Sequence, residues 1–180
     1  MASPPERIKL APLTLRKAVP ADAELLSVVL ADSYDHLAPW MPWAIPEAVT
    51  PAAQREHLAA AEWSWDADTA YEFLLMTPDD GALLGMCGLH RRIGPGAIEL
   101  GYWLAAGAVG HGHMTTAVGS LTDVALSLPD VGRAEIHCDE ANVRSQAVPR
   151  RLGYRLARVE PDEIGAPGEV GRSMTWVYPP

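Results

Sequence analysis

IELGYWLAAGAVGHGHMTTAV, Ile98 to Val118, leads from a strand through a glycine-containing turn into a helix. Ile98–Leu104 is rich in strand formers, and from Met114 onward apolar residues recur at Ala117, Val118, Leu121, Val124, Ala125 and Leu128, the spacing of one helix face. Pro129 and Gly132 end that helix, and Arg133–Asp139 alternates Ala134, Ile136 and Cys138 against Glu135 and His137, as a half-buried strand does. The result is a strand–helix–strand crossover. Its turn, Gly110-His111-Gly112-His113, points backbone N–H groups and the positive end of a helix dipole at one spot, an arrangement that suits a phosphate or pyrophosphate. Two glycines alone read more readily as a flexible connection.

Working outward, Leu13–Ala18 predicts a strand, and Asp22 after Pro20 predicts a cap for a helix over Ala23–Tyr34 with an apolar stripe of Leu25, Leu26, Val29 and Leu30. His36–Val49 is a loop rich in Pro and Trp. Thr50-Pro51 starts a second helix that runs to about Trp65. Tyr71–Thr77 and Leu83–Arg91 form a hairpin around Pro78–Gly81, and the Gly94–Gly96 turn joins them to Ile98–Leu104 as an antiparallel meander. Downstream, Asn142–Leu152 predicts a helix that Gly153 ends, with Pro149 kinking or restarting its later turns. Strands near Arg155–Glu160 and Arg172–Tyr178 close the chain. No repeat or second domain interrupts this order, so one α/β domain over residues 1–180 is expected.

Composition narrows the function. With 48% apolar and 21% charged residues among 180, the chain carries enough hydrophobic sequence for a packed core. A net charge of −9, with Lys9 and Lys17 the only lysines, argues against nucleic acid as a partner. No apolar run has the length of a membrane span, and MASPPERIKL lacks a signal peptide's layout, so a cytoplasmic protein is expected. Cys87 and Cys138 have neither zinc-site nor disulfide-scaffold spacing and read as reduced strand residues.

The order of IELGYWL, GHGHMTTAV and DEANVRSQAVPRRLGYRL, with HLAPWMPWA and GMCGLHRR upstream, resembles the RimJ/RimL branch of the GNAT acyltransferase superfamily over nearly the whole chain. The resemblance implies a mixed, mainly antiparallel sheet of about six to seven strands, splayed centrally and flanked by helices. It implies acetyl-CoA or another acyl-CoA as co-substrate, its pyrophosphate held by backbone amides of Val109, Gly110, His111, Gly112, His113, Met114 and Thr115. Val109 and Met114 depart from the branch's usual residues, yet a cradle of main-chain N–H groups needs chiefly the room that Gly110 and Gly112 leave. Tyr102, Trp103 and Leu104 would pair with the pantetheine arm as an added strand does, a backbone N–H there polarising the thioester carbonyl. Asn142 would hydrogen-bond the pantetheine region, and Ser145 would lie near the thioester sulfur and assist the departing thiolate.

The implied reaction is direct attack of a primary amine on the thioester, a protein N-terminal amine being the preferred acceptor. Glu99 is one candidate base, directly or through a water, and otherwise orients an ammonium; His90 is the second candidate, and otherwise a hydrogen-bonded sheet residue. Trp40 and Trp43 form an acceptor wall or pack in the ordinary way, with at least one tryptophan in the core. His111 and His113 are an incomplete metal site, so no metal is expected. Arg144, Arg150 and Arg151 either attract CoA phosphates or are solvated, and Cys87 is better read as packed than as an acyl carrier. Small-molecule amine acylation and a non-catalytic acyl-CoA sensor are the alternatives. A homodimer is compatible with the terminal strand and the aromatic loop.

Overall fold

The alternation of buried and exposed positions resolves into eight strands: β1 (Arg7–Leu10), β2 (Leu13–Lys17), β3 (Ala70–Met76), β4 (Leu83–His90), β5 (Ala97–Leu104), β6 (Arg133–Asp139), β7 (Arg155–Pro161) and β8 (Arg172–Tyr178). A computed structural model describes residues 3–179 and joins these strands in one sheet, in the order β1-β2-β3-β4-β5-β6-β8-β7. All neighbours are antiparallel except β5 and β6. This is the GNAT-like mixed sheet read from the sequence with one strand more. The addition, β1, has four residues and no buried side chain, so its hydrophobic pattern carries no signal.

The helices are α1 (Ala23–Asp32), α2 (Tyr34–Leu37), α3 (Pro51–Asp66), α4 (His113–Ser127) and α5 (Val143–Arg151). α3 starts as expected, with Pro51 in its first turn and the Thr50 hydroxyl accepting the Ala53 N–H at 3.2 Å. Two details of α1 differ. Asp22 does not cap it; the carboxylate takes the Arg16 guanidinium at 2.9 and 2.7 Å and the Val19 N–H at 3.0 Å, because a charged fork outcompetes a single helix amide. Leu25 is exposed and lies outside the buried face, which consists of Ala23, Leu26, Ser27 and Leu30.

Successive strand residues face opposite sides, so the sheet carries two cores. Phe73, Leu75, Leu89, Ile98 and Leu100 pack with Ala117, Val118 and Leu121 of α4. Leu74, Met76, Met86 and Trp103 pack on the other face with Leu26 and Leu30 of α1 and Leu58 of α3. Each fully buried leucine contributes about 2 kcal/mol to this arrangement. Among the described residues no helix is long and apolar enough to cross a membrane.

The feature that makes a site is the junction of β5 and β6. Their parallel register covers only Ala97–Glu99 against Arg133–Glu135, after which β5 continues to Leu104 and β6 to Asp139 without pairing with each other. The central sheet therefore splays, leaving a free β5 edge from Leu100 to Leu104.

Candidate active site

At the far end of the free edge the chain turns through Ala106–Ala108 and enters α4. Gly110 and Gly112 have φ of +84° and +77°, a left-handed conformation that costs other residues about 1–2 kcal/mol. A Cβ added at either would meet nothing within 4 Å, so the space in front of the turn is open. No side chain caps α4, and the Thr116 N–H bonded to the Gly112 carbonyl at 3.1 Å closes its first turn. The N–H groups of His113, Met114 and Thr115 precede that bond and are the orphan donors of a helix start. The cradle fits a pyrophosphate. Its side chains do different things: Met114 is buried in the core, His111 is exposed, and Val109, His113 and Thr115 are half-buried.

Across the splay, Asn142 caps α5, its Oδ1 accepting the Ser145 N–H at 3.0 Å. The Tyr102 hydroxyl reaches from β5 to donate to the Ser145 carbonyl at 3.0 Å and lies 3.2 Å from Ser145 Oγ. Pro149 explains why that carbonyl is available. A residue at 149 would ordinarily donate its N–H to the carbonyl four residues back, and proline has none. The helix does not restart at the proline; α5 runs from Val143 through Pro149 and ends two residues later. The proline instead frees an acceptor for Tyr102.

The near end of the free edge opens into a cavity of about 570 Å³ whose lining includes Trp40, Trp43, His90, Glu99, Asn142 and Ser145. Glu99 is buried at 9% exposure and receives the Arg92 guanidinium bidentately, at 2.8 and 2.7 Å. Burial alone would raise its pKa, but the Arg92 hydrogen bonds and the Arg92 charge bring it below the ordinary carboxylate value. Glu99 is thus held ionised. His90 is its direct cross-strand partner. Burial and the Arg92 charge hold the His90 imidazole below the ordinary histidine value, against opposing contributions from Glu72 and Glu99. At neutral pH it is an uncharged ring able to accept a proton.

Several lining residues were not legible in the sequence. Arg92, Glu72, His57, His137 and Glu169 all reach the cavity. His57 on α3 pairs with Glu72 on β3 at 3.0 Å, and His137 lies 2.9 Å from Glu135. Glu169 belongs to the β7–β8 loop, which Asp139 clips in place by accepting the N–H groups of Val170, Gly171 and Arg172 at 3.0–3.2 Å. The same loop reaches the aromatic segment through the Gly168 N–H on the Pro39 carbonyl at 2.8 Å. Only register and loop packing reveal such neighbours.

The remaining candidates divide clearly. Trp40 is half-buried and Trp43 is exposed, so the core tryptophans are Trp65, Trp103 and Trp176 instead of the two in the aromatic loop. Trp43 sits 6.2 Å from Trp103 between ring centroids and walls the cavity from above. Cys87 is buried and burial pushes its thiol far up, which disqualifies it as a nucleophile. Arg150 is exposed, as a solvated arginine is, while bonding Gln146 at 2.8 Å and standing 5.4 Å from the Trp176 ring. His111 and His113 stand 5.6 Å apart with no further ligand, and no metal-type cluster occurs among the described residues.

The fold thus combines a sheet opened between its two parallel strands, a backbone cradle at one end of the opening and a neutral histidine with an ionised glutamate at the other. The family model described as "Acetyltransferase (GNAT) domain" matches residues 12–155, and the chain belongs to that family. It is an acyl-CoA-dependent acetyltransferase, with acetyl-CoA or a related acyl-CoA as co-substrate. The Bacillus subtilis (strain 168) protein named "Putative ribosomal N-acetyltransferase YdaF" is 29% identical over 152 residues, covering 79% of this chain and 77% of its own. The structure of RimL, a ribosomal L7/L12 alpha-N-protein acetyltransferase in complex with coenzyme A, is similar with a TM-score of 0.84 at 21% identity, over 94% of this chain and 95% of that one. MccE, a microcin C7 self-immunity acetyltransferase in complex with acetyl-CoA and AMP, is similar at 0.86 and 19% identity, over 96% of each chain. At these identities the two structures speak for the fold.

Proposed function

We propose that the chain acetylates the α-amino group of a protein or peptide N-terminus. The observation that carries this reading is the pairing of ionised Glu99 with uncharged His90 at the end of the β5 free edge. An α-amino group is roughly 10–20% neutral at pH 7, against well under ~0.1% of a lysine, so a weak base suffices for it. YdaF and RimL, whose names specify ribosomal and N-terminal protein acetylation, support the same acceptor class.

Acetyl-CoA, when bound, supplies an acyl group activated as a thioester. Gly110–Thr115 would hold its pyrophosphate, the β5 edge at Tyr102–Leu104 its pantetheine arm, and Asn142 the same arm from α5. Glu99, with both oxygens already engaged by Arg92, is suited to attracting and orienting an ammonium more than to removing its proton. His90 is the better base. Ser145 Oγ, 3.2 Å from the Tyr102 hydroxyl, would lie near the thioester sulfur and assist the departing thiolate. Trp40 and Trp43 would cover the acceptor's first residues. Free thiols at Cys87 and Cys138 suit a reducing cytoplasm.

The test is acetyl-CoA turnover on hexapeptides beginning with Ser, Ala or Met, their Nα-blocked counterparts and a panel of small amines, read by mass spectrometry. Acetylation confined to free peptide N-termini supports the reading. Turnover of small amines with none on peptides replaces it with small-molecule acylation.

A further inference from the structure

We infer that the Arg92–Glu99 pair reads the first residue of the acceptor as a unit, Glu99 taking its ammonium and Arg92 Nη1 donating to the carbonyl of the same residue. The inference deepens the acceptor reading above and rests on it. Arg91 and Arg92 follow β4 directly, yet the fold uses them in opposite ways. Arg91 spends Nη1 and Nη2 on Asp130, at 2.6 and 3.2 Å, and its backbone N–H on the Thr69 carbonyl at 2.9 Å. It is an anchor for the β4–β5 turn. Arg92 is committed only through Nε and Nη2, which meet Glu99 Oε2 at 2.8 Å and Oε1 at 2.7 Å. Its Nη1 has no hydrogen-bond partner among the described residues, and the side chain is 63% exposed and lines the cavity.

The pair therefore offers two unlike groups side by side. A guanidinium carries five N–H donors in a fixed fork and a carboxylate has about four lone-pair sites, so a bidentate contact leaves both partners with capacity. The other carboxylates of the cavity wall meet different partners. Glu72 faces His57 at 3.0 Å, Asp139 accepts the N–H groups of Ala141, Val170, Gly171 and Arg172, and Glu169 accepts those of Gly165 and Ala166 at 2.7 and 3.0 Å. Among the described residues Arg92 is the one arginine or lysine that lines the cavity. Only at Glu99 does a carboxylate there stand beside an arginine fork.

A chain N-terminus matches that arrangement. Its α-amino nitrogen and the carbonyl oxygen of the same residue are about 3 Å apart, because only Cα and the carbonyl carbon separate them. Both can reach a carboxylate and a guanidinium that are already joined. The ammonium donates to Glu99 while the carbonyl accepts from Nη1, and both bonds are of the stronger, charge-assisted kind. A lysine side-chain amine or a simple alkylamine brings no carbonyl at that distance, so it gains the Glu99 contact alone. The pair thus favours chain N-termini over other primary amines.

The test compares a hexapeptide beginning with Ala with the same peptide carrying a trans-alkene in place of its first peptide bond, which removes the carbonyl and keeps the shape. The readout is the ratio of kcat/KM for the two acceptors, compared between enzymes so that their intrinsic reactivities cancel. Arg92→Met should lower that ratio about 10-fold. Arg92→Lys keeps a positive charge beside Glu99 but loses the fork, and should lower it about 3-fold or more, chiefly through KM for the intact peptide. Both variants should keep acetyl-CoA affinity within about 2-fold, since uniform loss of the acceptor contact leaves donor binding alone. A ratio unmoved by both substitutions overturns the inference even when peptides are acetylated, because an arginine that only orders Glu99 slows both acceptors alike. If the wild type acetylates small amines alone, the acceptor reading fails, and alaninamide and the branched alkylamine of the same shape replace the peptides: a ratio that falls in Arg92→Met keeps the carbonyl contact, and one that does not overturns it.

Discussion

The two ends of the splay are built from different materials. The end proposed for the donor, from Leu104 to Thr115, is main chain: two left-handed glycines, three unpaired N–H groups and a bare strand edge. The end proposed for the acceptor is side chain, assembled from α3, β3, β4, β5 and the β7–β8 loop. Main-chain chemistry is insensitive to most substitutions and sensitive to the few that change backbone conformation or fill space. Side-chain chemistry is sensitive at many positions, each by a moderate factor. Variants at the two ends should therefore differ in which step they damage.

The largest effect belongs to the donor end. Gly112→Asp places a carboxylate before the helix N-terminus and a side chain at φ +77°. Calorimetric affinity for acetyl-CoA should fall by at least about 100-fold, and the backbone strain should separately cost about 1–2 kcal/mol of stability. Circular dichroism should show a folded protein. Retained affinity would mean that the pyrophosphate lies elsewhere and would erase the contrast between the ends.

Next comes Glu99→Gln. It keeps the shape but removes the charge that faces Arg92 and an incoming ammonium, so kcat/KM should drop about 10- to 100-fold while acetyl-CoA affinity holds. A loss confined to KM for the amine would assign Glu99 to orientation, and one confined to kcat would return it to proton removal. Gly88→Ala tests the same end through geometry. Its methyl would stand 2.9 Å from His90 Nε2 and displace the ring, so about a 10-fold loss of kcat is expected with little change in donor binding.

The contrast also explains what the sequence could reveal. The crossover and the glycine turn before α4 are local in sequence and legible from neighbouring residues. The Thr50-Pro51 helix start is legible for the same reason, whereas Asp22, whose partner Arg16 lies across a strand end, is misread as a cap, and the Asn142 cap is not read at all. Glu99 and His90 were found as separate candidates, but their pairing is a register fact. Glu72, His57 and Arg92 escaped entirely, since polar residues at strand and helix positions look solvated until the sheet order is known. Glu169 depends on the Asp139 clip, for which no local pattern exists.

The smallest effect lies where the ends meet. Tyr102 holds β5 to α5 through the Ser145 carbonyl that Pro149 leaves unclaimed. Tyr102→Phe removes this bond and should cost about 1 kcal/mol of stability, with a 2- to 5-fold change in KM for acetyl-CoA. Pro149→Ala should act in the same direction by a different route: the new N–H at position 149 competes for the Ser145 carbonyl, so α5 gains a helical bond while the tie across the splay weakens. Thermal stability would then rise or hold even as KM for acetyl-CoA moves toward the Tyr102→Phe value. If Pro149→Ala changes neither, the proline only shapes the end of α5. If it moves KM alone, α5 was built less regular than it could be so that the donor strand has something to hold.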